Sequence, residues 1–139
     1  MEDKIEKIKE IVKKELGFCS AHDFDHVMRV YNLAIKIAEN EDVDMEVIKA
    51  ASLLHDIGGK RELEDSTGQT DRAEEGMKMA EPILRDLGFS EEKIKHIQDC
   101  ILTHRFRTEN KPKTMEAKIV FDADKLETVG AIGLARAFT

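Results

Sequence analysis

Three separated stretches of this 139-residue chain carry side chains able to hold a metal ion: His26, the doublet His55-Asp56, and the distant Asp124. All lie in segments with an apolar, helical period, where imidazoles and carboxylates are costly to bury unless something compensates them. A bound cation would do so. Two nitrogens and two oxygens suit Mn²⁺, Fe²⁺, Co²⁺, Ni²⁺ or Zn²⁺ better than an all-oxygen Mg²⁺ site. With four protein ligands such an ion keeps positions for water, lowers that water's pKa and draws charge from a phosphoryl oxygen, which is hydrolytic chemistry.

Other residues compete for the same roles. Adjacent His55 and Asp56 project about 100° apart, yet from a helix's last turn both reach an ion lying off its end. Asp122 and Asp124 point about 200° apart, so only one of them should face the ion. His22 stands one turn before His26 and is expected at the pocket edge, with Asp23 as a candidate N-cap. His104 falls on an apolar stripe, either contacting substrate or satisfied within the core. His96 falls off that stripe and reads as surface. Anionic substrates need nearby positive charge, for which Arg29, Lys60 and Arg61 are the first candidates and Lys125 and Arg105 the next; a solvated surface is the ordinary alternative for each.

The elements that must position these residues are helical almost throughout. Ile5, Ile8, Val12 and Leu16 form one stripe, ended at Gly17. Val27, Val30, Ala34, Ile37 and Ala38 form a second, from about residue 23 to residue 40. Asp44 should cap a third helix through Val47, Ala51 and Leu54, closed by Gly58-Gly59, which puts the His-Asp doublet in its final turn. Residues 59–70, GKRELEDSTGQT, read as a loop of the kind that often gates a site. A fourth helix is expected from about Thr70 through Ala73, Met77, Ala80, Leu84 and Leu87, kinked or divided at Pro82. Ser90 should cap a fifth through Ile94, Ile97 and Ile101. A last helix from about Thr114 carries Ile119, Val120, Ala123, Leu126 and Val129 on one face. The expected fold is all-α, a bundle of about six helices.

Composition excludes several classes. A chain with 41% apolar and 37% charged residues is globular rather than disordered, and no apolar run approaches the roughly 18 residues needed to cross a bilayer. The start, MEDKIEKIKE, is too charged for a signal peptide, so a cytoplasmic protein is expected. A net charge of −7 disfavours nucleic-acid polymers as partners. Cys19 and Cys100 form no CxxC and read as core or boundary thiols.

The motifs HDFDHVMRVYNLA at 22–34, ASLLHDIGGK at 51–60 and DADKLETVGAIGLARAF at 122–138 occur in order over most of the chain. Together they resemble the HD-domain metal-dependent phosphohydrolases, whose signature is H…HD…D on a helical core; the last motif resembles a bacterial and archaeal branch that includes nucleotide pyrophosphohydrolases. The resemblance implies His26, His55, Asp56 and Asp124 as ligands, since the family places its final aspartate directly before the Lys-Leu pair. It implies a small phosphorylated substrate, a nucleotide foremost; Lys60 or Arg29, near the ligands in sequence, is expected on the non-bridging oxygens. Branches with two metals use further histidines, whereas DRAEEG here puts Arg72 at the corresponding place; a single metal is expected, and a di-iron oxygenase is disfavoured. Gly59 stands where relatives often have a glutamate, leaving Glu75 or Glu62 as candidate general acids. Relatives commonly continue beyond the DADKLE helix, so residues 1–139 are expected to form one HD domain shortened at its C-terminus. Ile132, Leu134 and Phe138 are candidates for a homo-oligomer contact or for core packing. The alternative to an enzyme is a metal-binding but catalytically silent interaction module.

Overall fold

The computed structural model describes the backbone of residues 2–17, 21–105 and 111–137, and the side chains among these except at 17, 21–23 and 130–137. Seven helices and no strand occur among the described residues: α1 (Glu2–Gly17), α2 (Ala21–Ala38), α3 (Met45–Leu54), α4 (Gly59–Glu64), α5 (Arg72–Asp86), α6 (Glu91–Leu102) and α7 (Met115–Ala137). None is long and apolar enough to cross a membrane.

The central element is α3. Asp44 caps it as expected, its carboxylate accepting from the Val47 amide at 3.3 Å. Nearly every residue from Val47 to Leu54 is buried, and α1, α2, α6 and α7 all pack on it. Ile5, Ile8 and Val12 of α1 supply one wall of the core, and Ile94, Ile97 and Ile101 of α6 another. Val30, Ala34 and Ala38 of α2 meet Ile119 and Ala123 of α7 on a separate face. Ser90 caps α6 through the Lys93 amide. Cys100 lies in the core, where burial pushes its thiol up to about 12.

Several expectations need correction. α3 ends at Leu54, with His55 as its C-cap, so the His-Asp doublet follows the last turn instead of forming it. Residues 59–64 are the short helix α4, giving one helix more than expected. The loop proper, 65–70, is organised around the Asp65 carboxylate, which accepts from the amides and hydroxyls of Thr67 and Thr70. Asp71 caps α5 through the Glu74 amide, and Pro82 does not divide that helix. Pro82 and Lys78 are both exposed, so water can satisfy the Lys78 carbonyl that lacks a donor at 82. α2 begins at Ala21, which places Asp23 inside the helix instead of at its cap. Leu126 and Val129 are 53% and 56% exposed; the apolar stripe of α7 outruns the described elements that cover it. Cys19 and the side chains of His22, Ile132, Leu134 and Phe138 lie outside the described residues.

The glycine pair does not act through backbone conformation, since Gly58 has φ −80°. Its role is close approach. A Cβ at Gly58 would fall 2.4 Å from the Arg72 carbonyl oxygen and 2.6 Å from the Gly76 amide nitrogen, both backbone atoms of α5. At Gly59 the nearest atom would be the Arg72 side chain at an ordinary 3.7 Å. Gly58→Ala should therefore cost about 1–3 kcal/mol through overpacking, whereas Gly59→Ala should change stability by less than about 0.5 kcal/mol. Urea unfolding of the two variants beside the parent tests this, and equal midpoints for both would contradict the packing argument.

Candidate metal centre

The end of α3 builds the site. A helix that stops inside the core leaves carbonyls without amide partners, and the Ser52 carbonyl here accepts from His55 Nδ1 at 2.6 Å. A carbonyl can only accept, so Nδ1 carries the proton and the neutral ring presents a lone pair at Nε2. His55 is fully buried, and that Nε2 has no hydrogen-bond partner. An orphaned buried acceptor of this kind calls for a cation or a proton.

Three groups surround it. Asp124 Oδ1, on α7, lies 3.5 Å from His55 Nε2 and 3.1 Å from His26 Nε2 of α2. Asp56 Oδ2, in the turn after α3, lies 3.5 Å from His55 Nε2 and 3.7 Å from His26 Nε2. The four donors thus form a closed ring of alternating nitrogen and oxygen. Donors about 2.0–2.2 Å from a shared ion lie about 3.0–3.5 Å from one another; three sides of the ring meet that spacing, and the His26–Asp56 side at 3.7 Å is slightly wider. His26, His55 and Asp124 alone form a group compact enough to hold an ion. Asp124 faces inward and Asp122 is exposed.

Charge follows geometry. Burial opposes protonation of His55, but Asp56 and Asp124 outweigh it and raise the pKa from 6.5 to about 9. Burial would lift both carboxyls as well. His55, His104 and Arg72 nevertheless hold Asp56 well below the usual range, and His26 and His55 do the same for Asp124.

The remaining candidates are distributed around this ring. His104 is buried in the wall, with Nδ1 donating to the Ile101 carbonyl at 2.6 Å and Nε2 lying 3.7 Å from Asp56 Oδ1. His96 is half-buried instead of on the open surface and meets Thr114 and Glu116 away from the ring. Arg29 is paired with Glu127 on α7, Arg61 with Glu75, and Arg105 with Glu62 and Asp71. Lys60 is half-buried on α4, and Lys125 is exposed above the Phe121 ring. Glu62 accepts from the Arg72 backbone and side chain and from Arg105; these contacts overcome its partial burial and keep it ionised, which counts against a general acid. The Arg72–Asp56 contact at 3.5 Å was not foreseen from sequence. The spacing of DRAEEG after the HD doublet was the one signal for it.

In the metal-free protein, protonated His55 stabilises the fold fully below pH 6.5, and that contribution is lost as the pH rises through about 9. A divalent ion must displace this proton. Metal affinity should therefore rise about tenfold per pH unit up to about pH 9 and then level off, with about one proton released per ion at neutral pH. Calorimetric titration in buffers of different ionisation enthalpy measures the release; no buffer dependence would rule the linkage out.

Comparison with known proteins identifies the family and the fold. The HD domain family model matches residues 23–129. Bacillus subtilis YpgQ is 32% identical over 123 residues, 86% of this chain and 57% of that protein. The chain thus spans little more than half of that relative. A protein from an uncultured Thermotogales bacterium, described as a predicted HD-superfamily hydrolase, superposes with a TM-score of 0.79 at 32% identity, covering 96% of this chain and 73% of that one. YpgQ solved in complex with ADP superposes with a TM-score of 0.69 at 28% identity, covering 98% and 64%. With its His26, His55-Asp56 and Asp124 ring at the centre of a matching helical fold, the chain belongs to the HD domain family.

Proposed function

We propose that this HD-domain protein is a divalent-metal-dependent phosphohydrolase acting on a small phosphoester or phosphoanhydride, with a nucleotide as the substrate class. The observation that carries the reading is the nitrogen–oxygen ring of His26, Asp124, His55 and Asp56, in which the buried His55 Nε2 has no hydrogen-bond partner. HD-superfamily hydrolases among the structural neighbours support hydrolysis in general, and ADP in YpgQ supports the nucleotide. One transition-metal ion, from the set Mn, Fe, Co, Ni and Zn, would be held by those four side chains. When bound, such an ion acidifies water and withdraws charge from a phosphoryl oxygen.

The chain's own groups would do the rest. The Ser52 carbonyl fixes the His55 tautomer so that Nε2 stays a donor to the cation. Arg29, 55% exposed on the rim, can leave Glu127 for a non-bridging oxygen at small cost, because exposed ion pairs contribute about 0–1 kcal/mol. Lys60 on α4 is the second anion contact, next to the HD turn. His104 closes the wall behind Asp56 and limits the motion of its carboxylate.

A second reading, a metal-binding module without turnover, draws on a specific observation: Arg29, Arg61, Arg72 and Arg105 are each already paired with carboxylates. Elemental analysis of the purified protein, combined with a phosphate-release screen over mono-, di-, tri- and cyclic nucleotides under several divalent ions, separates the two. The enzyme reading expects turnover that falls at least about 100-fold in His55→Ala and Asp56→Ala, with Asp122→Ala close to the parent. Turnover equal in the parent and the ligand variants would refute the mechanism; tight metal retention with no turnover anywhere would favour the silent module.

A further inference from the structure

Two of the helices that bring ring donors each carry one member of an ion pair a turn beyond the donor. Arg29 follows His26 by three residues on α2, Glu127 follows Asp124 by three on α7, and Arg29 Nε donates to Glu127 Oε1. Positions three apart share a helix face, so the pair stands next to the His26–Asp124 contact at the rim of the ring. Its members differ in cover: the Arg29 side chain is 55% exposed and that of Glu127 only 17%. The guanidinium is therefore the member free to swing, and the carboxylate stays.

No other arginine pair among the described residues has this placement. Arg72, Arg85 and Arg105 are each held by two carboxylates. The Arg61–Glu75 pair joins α4 to α5, which supply no ring donor. Arg29 alone combines an exposed side chain, a single carboxylate partner and a place one turn from the ring.

A guanidinium already neutralised by a carboxylate attracts phosphate weakly, and a phosphoryl oxygen brought to its other edge would stand near that carboxylate's charge. On the phosphohydrolase reading given above, we propose that Glu127 is an internal competitor for Arg29: it holds the guanidinium between ligands and takes it back as a phosphorylated ligand leaves. Glu127 then sets how tightly, and for how long, the site keeps a phosphate. Its charge works against binding, and the same charge speeds release.

Binding measurements test this without turnover. Mn²⁺-loaded protein is titrated calorimetrically with ADP and with inorganic phosphate at physiological salt, where charges more than about 8 Å apart are screened, and Mn²⁺ affinity is measured on the same proteins. Glu127→Gln, which keeps the shape and removes the charge, should bind both ligands about fivefold more tightly, the gain appearing as slower dissociation in stopped-flow displacement. Arg29→Ala should bind them more weakly, and adding Glu127→Gln to it should gain less than about twofold, because no cation remains to be released. Mn²⁺ affinity should stay within about threefold of the parent throughout. Glu127→Ala serves if the glutamine variant fails to fold. Ligand binding that is unchanged or weaker in Glu127→Gln, Mn²⁺ affinity lost along with the carboxylate, or an equal gain without Arg29 would each overturn the inference while leaving the nucleotide reading standing. A parent that takes up Mn²⁺ but neither ADP nor phosphate would overturn both.

Discussion

A helix buried along nearly its whole length has to end inside the protein, and the end of α3 is the constraint on which the remainder of the site depends. The Ser52 carbonyl, deprived of an amide partner, takes its hydrogen bond from His55 Nδ1. That single contact satisfies the backbone, fixes the ring and commits the opposite nitrogen to the interior. There it has no hydrogen-bond partner, and the two carboxylates beside it cannot donate while ionised. The orphan is stable only with a proton or a metal ion between the groups. Backbone satisfaction and ligand preorganisation are therefore one event, and loosening either loosens the other.

The same turn couples the site to elements that hold no ring donor. Gly58 lets the start of α5 lie against the backbone that follows the doublet, and Glu62 of α4 accepts from the Arg72 amide there. α4 and α5 thus brace Asp56 from outside through Arg72, while α2 and α7 bring His26 and Asp124 from within the bundle. A movement of α5 by even a few tenths of an ångström would be felt at the Asp56 carboxylate, because close-packed interiors transmit such shifts.

Long periodic elements and their caps were legible in the residues. Asp44 and Ser90 sit where short acceptors should stand before an apolar run, and both cap. The six residues GKRELE are too few to display a period, so α4 was hidden. Leu126 and Val129 continue the stripe of α7 faithfully, yet a stripe records which face is apolar, not how far its cover extends. Choosing Asp124 over Asp122 needed the resemblance, because spacing alone says only that the two diverge. His104 could not be placed from its stripe, since a wall histidine and a core histidine share the same period. Arg72 was visible only as a histidine's absence; its contact with Asp56 depends on the packing of α5 against Gly58, a tertiary fact with no local signature.

A chain with a net charge of −7 repels phosphate at long range, but beyond about 8 Å such fields are screened at physiological salt, so the local array decides. Without a metal ion that array is unfavourable: Arg29, Arg61, Arg72 and Arg105 are matched by Glu127, Glu75, Glu62 and Asp71, and Asp56 and Asp124 add two negative charges against the one of protonated His55. On the proposed reading a divalent ion must therefore bind first, converting the ring from a repulsive to an attractive surface before any phosphate can settle. The arginines then divide by exposure. Arg29 lies on the rim, where breaking its pair with Glu127 costs little, so it can follow a substrate. Arg72 is more sheltered and is held by both Asp56 and Glu62, so removing it would leave carboxylates uncompensated. The mobile cation is suited to binding, and the fixed one to holding the Asp56 carboxylate in place.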